Sequence, residues 1–146
     1  MASVSIDEHF ADPRVHRLFY PTLAPFAAAA FIGAFLSDLA YWRTAEIMWE
    51  RFSIWLLTFG LVMMGFAIAA GLIDLIRAAP AERRRAAVRV VAGAAIFGLS
   101  SLNALIHSRD AYTAIVPWGV SLSSLVVLML LVNGWASRRS SIEAKR

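Results

Sequence analysis

The sequence predicts an all-α integral membrane protein, folded as an up-down-up-down bundle of four transmembrane helices. Of its 146 residues, 60% are hydrophobic and 16% are charged, and the mean hydropathy is +0.65. A soluble domain typically has about a quarter of its residues charged. The sequence also contains four long apolar stretches separated by short charged segments, which indicates four transmembrane helices.

Each predicted span has the length that a bilayer requires, about 20 mostly apolar residues. The spans are Thr22–Trp42, Ser53–Arg77, Ala86–Ile106 and Thr113–Trp135. The segments between them, "RTAEIMWERF", "AAPAERRR" and "HSRDAY", are short, which makes sequential helices antiparallel. We therefore expect an N-terminal segment at 1–21, a membrane domain at 22–137 and a basic tail at 138–146.

The basic residues predict the orientation of the bundle. Eleven Lys and Arg residues fall on one predicted side of the membrane and three on the other. The three are Arg43, Arg51 and Arg109. Because basic residues accumulate on the cytoplasmic side, we expect both termini and the "ERRR" segment there.

Asp38 is the first candidate functional residue, because charged side chains are costly inside a membrane. It lies about 6 Å inside the Trp42 end of the first span, where we expect water to reach it and an ionised carboxylate to cost less than at the midplane. His107 and Arg109 end the third span at the same predicted level, so Asp38 is expected to pair with one of them. Asn103 shares a helical face with His107. Proton or quinone handling by Asp38 stays open as an alternative.

A second aspartate, Asp74, lies near the opposite predicted end of the second span. Arg77 follows it by three residues, a spacing that places two side chains on one side of a helix. We therefore expect an interfacial ion pair between them.

Metal and enzyme chemistry are not predicted. His9 and His16 are expected on the cytoplasmic side and His107 near the outer face, about 30 Å away, so no pair of them across the membrane can ligate one haem iron. The chain has no cysteine, no glycine-rich phosphate loop, no zinc motif and no nucleophile with a partner base. The net charge of +4 is interpreted as a topology signal and a contact with anionic lipid, because "ERRRAAVR" lacks the aromatic residues of nucleic-acid sites.

Several segments resemble a known family. The segments are "YPTLAPFA", "SDLAYWRT", "WLLTFGLVMMGF", "AAGLIDLI", "NALIHSRDAYTAIVPWGVSLS" and "LMLLVNGWA". In order and spacing, from about Val15 to Ser137, they resemble the bacterial four-helix membrane proteins grouped as domain of unknown function 2231. The resemblance implies a small multi-pass protein of the bacterial inner membrane, without assigned chemistry.

The sequence departs from this family at two positions. The resemblance implies a repeated His-Pro pair at the start and a histidine near the start of the third helix, facing each other on the cytoplasmic side. In this chain Tyr20 precedes the proline and Arg89 stands near the third-helix position. No haem or metal site is therefore carried over from the family.

These observations favour a non-catalytic membrane protein that contacts the lipid bilayer and acts as an accessory or interaction subunit of a larger complex. Other membrane subunits, or further copies of the chain, are the expected partners. No cofactor is predicted. Two alternatives stay open: a redox component that binds haem or quinone near His107 and Asp38, and a small transporter or proton-path protein.

Cysteine labelling tests the predicted orientation, because the chain has no cysteine of its own. A cysteine placed at Ala45 or Ala111 should react with a membrane-impermeant reagent added outside intact cells, whereas one at Ala81 should not. Labelling at Ala81 without labelling at Ala45 would mean that the orientation is the reverse of the predicted one.

Overall fold

The structure, a computed structural model, describes residues 13–108 and 115–143. The helices are α1 (Pro13–Thr44), α2 (Ile47–Arg77), α3 (Pro80–His107) and α4 (Val120–Glu143). A short kinked segment, Ile115–Gly119, with extended backbone at Val116, precedes α4. All four helices contain stretches long and apolar enough to cross a membrane. The predicted all-α, four-helix membrane fold is confirmed.

The helices are longer than predicted, and two of the connections are correspondingly shorter. Only residues 45–46 join α1 to α2, and only residues 78–79 join α2 to α3. The "ERRR" segment therefore lies in the first turns of α3 and not in a loop. α1 begins within the predicted N-terminal segment, and α4 continues into the predicted basic tail. The predicted start of the fourth span, Thr113, lies outside the described residues.

At four of the helix ends, a charged residue favours the longer helix. Arg43 and Arg77 lie in the last turns of α1 and α2, and Glu50 and Glu82 lie in the first turns of α2 and α3. Cations at the C-terminus of a helix and anions at its N-terminus interact favourably with the helix dipole. The polar segments that sequence reasoning treats as loops can therefore be helical.

In cross-section the four helices lie at the corners of a square, and each packs against two neighbours. α1 packs against α2 and α4, and α3 packs against the same two helices, so that α1 and α3 are diagonal. Of these four interfaces, the α1–α2 interface is the most extensive and the α3–α4 interface is the least extensive. We call the two ends of the bundle the His107 end, which includes residues 45–46, and the Arg89 end, which includes residues 78–79.

Many interior positions are small or polar, whereas many large apolar side chains face outward. The buried residues of α2 recur at alternating three- and four-residue spacing: Glu50, Ser53, Leu57, Gly60, Met64, Ala67 and Gly71. On the same helix Trp55 and Phe66 are exposed. Lipid chains are as apolar as leucine, so the interior of a membrane bundle is selected for close packing and not for hydrophobicity.

The tightest contact of the core joins α1 to α2. Phe31 is buried, and its ring packs directly on the backbone of Gly60. A Cβ atom added at Gly60 would lie 2.6 Å from Cε1 of Phe31, which is too close for two carbon atoms. Glycine at this position is therefore required by the ring of Phe31.

Substitution of two glycines tests this packing. Gly60→Ala should lower the free energy of unfolding by about 1–3 kcal/mol, because the Phe31 ring must move. Gly98→Ala is the matched control, since a Cβ at Gly98 has no atom within 4 Å, and alanine favours helix by up to about 1 kcal/mol. Thermal unfolding of both variants in detergent measures the difference. Equal losses for both variants would contradict the described packing.

Candidate functional site

Asp38 lies inside the bundle and not at a wet interface. Its side chain has no exposed surface, at 0%. The expectation that water reaches this carboxylate is wrong, because its side of α1 faces the other three helices. Depth along a helix does not determine which way a side chain points, and here protein covers Asp38 on every side. An ionisable group sealed in this way must be satisfied by neighbouring polar groups.

Side chains from all three other helices contact this carboxylate. Ser53 of α2 donates a hydrogen bond to Oδ1 at 2.6 Å, and Ser123 of α4 donates one to Oδ2 at 2.5 Å. Nε2 of His107, on α3, lies 2.9 Å from Oδ1. One carboxylate thus links the four helices at the His107 end.

A second set of hydrogen bonds holds these partners in place. The amide of Asn103 donates from Nδ2 to Oγ of Ser123 at 2.7 Å. His107 Nδ1 lies 2.9 Å from the backbone carbonyl oxygen of Asn103, one turn earlier on α3. We call Asp38, Ser53, Asn103, His107 and Ser123 the Asp38 cluster, and all five are buried.

The structure brings together three of the four residues that the sequence predicts for this site: Asp38, Asn103 and His107. Arg109, the fourth, lies outside the described residues. Sequence reasoning missed Ser53 and Ser123 as partners of Asp38. Their signal is weak, because a serine inside a membrane helix usually bonds its own backbone.

Glu50 is a further buried carboxylate near this cluster. It lies one turn before Ser53 on α2 and is 7% exposed. Its segment, "RTAEIMWERF", is predicted as a loop from the sequence, so no buried role is predicted for Glu50. Its position in the three- and four-residue spacing of the α2 interior is the signal that identifies it.

Two buried polar atoms, one in the Asp38 cluster and one a turn below it on α3, have no hydrogen-bond partner among the described residues. Oγ of Ser100 and Oδ1 of Asn103 are both buried and unbonded among the described residues. An unsatisfied buried polar atom costs about 1–3 kcal/mol. Further towards the Arg89 end, the next buried residues of α3 are Ile96, Gly93 and Val90. The polar interior of α3 therefore stops at Ser100.

The predicted ion pair between Asp74 and Arg77 does not form in the structure. Asp74 lines a small cleft at the Arg89 end, together with Tyr20 and Arg89. Arg77 is the last residue of α2 and is exposed. Three-residue spacing allows a contact but does not require one. Asp74 instead lines the cleft with Tyr20 of α1 and Arg89 of α3.

Tyr20 and Arg89, which stand where the family resemblance implies histidines, lie next to each other. The guanidinium of Arg89 lies 5.7 Å from the centroid of the Tyr20 ring, and the Tyr20 hydroxyl donates a long hydrogen bond of 3.5 Å to the Arg89 carbonyl. Burial raises the pKa of Tyr20 above its ordinary value, and the charge of Arg89 opposes this rise. A phenol and a guanidinium therefore lie together where the resemblance implies imidazoles.

Comparison with known proteins agrees with this architecture. The family described as "Predicted membrane protein (DUF2231)" matches residues 18–144, which include the whole Asp38 cluster. Neither the curated proteins nor the solved structures contain a match to the chain. With its four apolar helices and a match over nearly its whole length, the chain belongs to the DUF2231 family of predicted membrane proteins.

Proposed function

We propose that the protein is a non-catalytic accessory subunit that binds another membrane protein through the outward face of α3. The observation that carries this proposal is the different use of two small-residue pairs, Gly33–Ser37 and Ala94–Gly98. Gly33 packs against Leu56, and Ser37 is buried, so the first pair serves the bundle itself. Ala94 and Gly98 are exposed, and no atom lies within 4 Å of a Cβ built at Gly98.

Exposed residues extend this surface along α3. The α3 outer face consists of Val91, Ala94, Gly98, Leu102 and Leu105, at three- and four-residue spacing. Val91 is 67% exposed and Leu105 is 63% exposed. Helices in a membrane associate where small residues let two backbones approach closely. The small centre and larger flanks of this face suit a partner helix, which makes other membrane subunits or a second copy the proposed partners.

The geometry gives less support to the alternative functions. Both ring nitrogens of His107 are engaged, one by Asp38 and one by the Asn103 carbonyl, which leaves neither for a haem iron or a quinone. The polar interior of α3 ends at Ser100, so no polar route to the Arg89 end is seen along this helix. We also propose that the protein lies in the bacterial inner membrane with both termini in the cytoplasm. The distribution of basic residues and the family resemblance support this placement.

Photo-crosslinking tests the proposed surface. A benzophenone amino acid placed at Ala94 or Leu102 should give a discrete protein adduct in native membranes. The same amino acid at Phe59 is the matched control, because Phe59 is exposed on α2 but does not belong to the α3 outer face. Mass spectrometry then distinguishes another subunit from a second copy.

A substitution decides whether the adduct reflects a specific interface. Gly98→Leu should abolish the adduct and the co-purification of the partner, because its side chain fills the space that a partner helix needs. Phe59→Leu should leave both intact. Equal crosslinking from α2 and α3, or full retention of the partner by Gly98→Leu, would contradict the proposal.

A further inference from the structure

We propose that Asp38 and His107 form a binding site for a single proton, held between Nε2 of His107 and Oδ1 of Asp38. This inference goes beyond the proposed function and does not depend on a partner protein. It follows from which atoms of the cluster can donate a hydrogen bond and which can only accept one.

The backbone carbonyl of Asn103 determines where one histidine proton lies. A carbonyl oxygen only accepts hydrogen bonds, so Nδ1 of His107, 2.9 Å away, must carry a hydrogen. In a neutral imidazole the other nitrogen then has a lone pair and no hydrogen. That nitrogen, Nε2, faces Oδ1 of Asp38 at 2.9 Å.

A second proton is therefore needed between the two side chains. An ionised carboxylate only accepts, so without this proton two lone pairs would face each other at hydrogen-bond distance. One proton resolves the conflict, whether it belongs to an imidazolium or to a carboxylic acid. A pair with one such proton is neutral overall, whereas the pair without it carries a buried negative charge, which is costly in a membrane.

The serine donors favour the form in which Asp38 is ionised. Ser123 accepts a hydrogen bond from Asn103, which leaves its own hydrogen to donate to Oδ2. Ser53 donates to Oδ1. Hydrogen bonds to the charged form of an acid stabilise that form. With Nε2 as a third donor, the expected state is an imidazolium beside a carboxylate.

Among the described residues, several other ionisable groups lie at the His107 end of the bundle. On α2, Glu50 is buried one turn before Ser53. Tyr41 is the nearest ionisable group along α1 and is buried, whereas Arg43 and Arg51 are exposed. The segment from Ile115 to Trp135, which includes Ser123, contains no ionisable residue.

Solid-state NMR of the full chain in lipid bilayers at neutral pH tests the proposal. The chain has three histidines, so ¹⁵N-histidine labelling gives few signals, and His107→Gln identifies those of His107. The carboxyl ¹³C signal of Asp38, identified by its loss in Asp38→Asn, reports whether that group is ionised. We expect both ring nitrogens of His107 to be protonated and Asp38 to be ionised.

Two variants show whether the proton depends on Asp38. In Asp38→Asn the amide can donate to Nε2, so the number of protonated ring nitrogens on His107 should fall from two to one. Asp74→Asn is the control, because Asp74 lies at the other end of the bundle, and it should leave the His107 signals unchanged.

Sequential assignment of the full chain identifies the His107 and Asp38 signals even if a variant fails to fold, and the wild-type spectra then decide the proposal. A protonated Asp38 with a single protonated nitrogen on His107 also supports the proposal, because one proton is still shared by the pair. An ionised Asp38 beside a neutral His107 would overturn it, as would a protonated Asp38 beside an imidazolium.

Discussion

The carboxylate of Asp38 is the constraint on which the packing at the His107 end depends. Enclosed by protein within a membrane domain, it has no water to satisfy it, so its partners must come from other helices. Ser53, His107 and Ser123 supply those contacts, one from each of the other three helices. Because α1 and α3 are diagonal, the Asp38–His107 contact also joins two helices that otherwise share little surface.

The rest of the bundle is arranged around this polar end. Towards the Arg89 end the interior is apolar and closely packed: the ring of Phe31 packs on Gly60, and Val90 lies close to Gly71. Close packing of this kind stabilises membrane bundles but distinguishes poorly between alternative helix registers. A buried polar cluster, satisfied in only one register, can supply that specificity. We therefore expect the polar end to select the helix register and the close-packed end to contribute most of the packing.

The sequence predicted the spans well, because hydropathy summed over about 20 residues is a strong signal. Of the two residues it offered as partners of Asp38, His107 lies against the carboxylate, and Arg109 lies outside the described residues. Helix ends were predicted poorly, because the connections at residues 45–46 and 78–79 are shorter than the charged segments around them. The burial of Asp38 was missed because a position along a helix does not fix its direction around the axis.

The serine partners could not be identified from residue type. Ser101, Ser121 and Ser124 donate to their own helix backbone, as membrane serines commonly do. Ser53 and Ser123 instead donate across the bundle to Asp38. What separates the two groups is the direction each side chain faces, which the uniformly apolar composition of the spans hides.

A double-mutant cycle between Asp38 and His107 tests the central claim most directly. Thermal unfolding in detergent would compare Asp38→Leu, His107→Leu and the double variant. We predict a coupling free energy of about 0.5–2 kcal/mol, because side chains in contact are non-additive and membrane hydrogen bonds are modest. A parallel cycle between Asp74 and Arg77, which form no ion pair, should be additive. Additive losses for Asp38 and His107 would mean that this contact does not hold the bundle together.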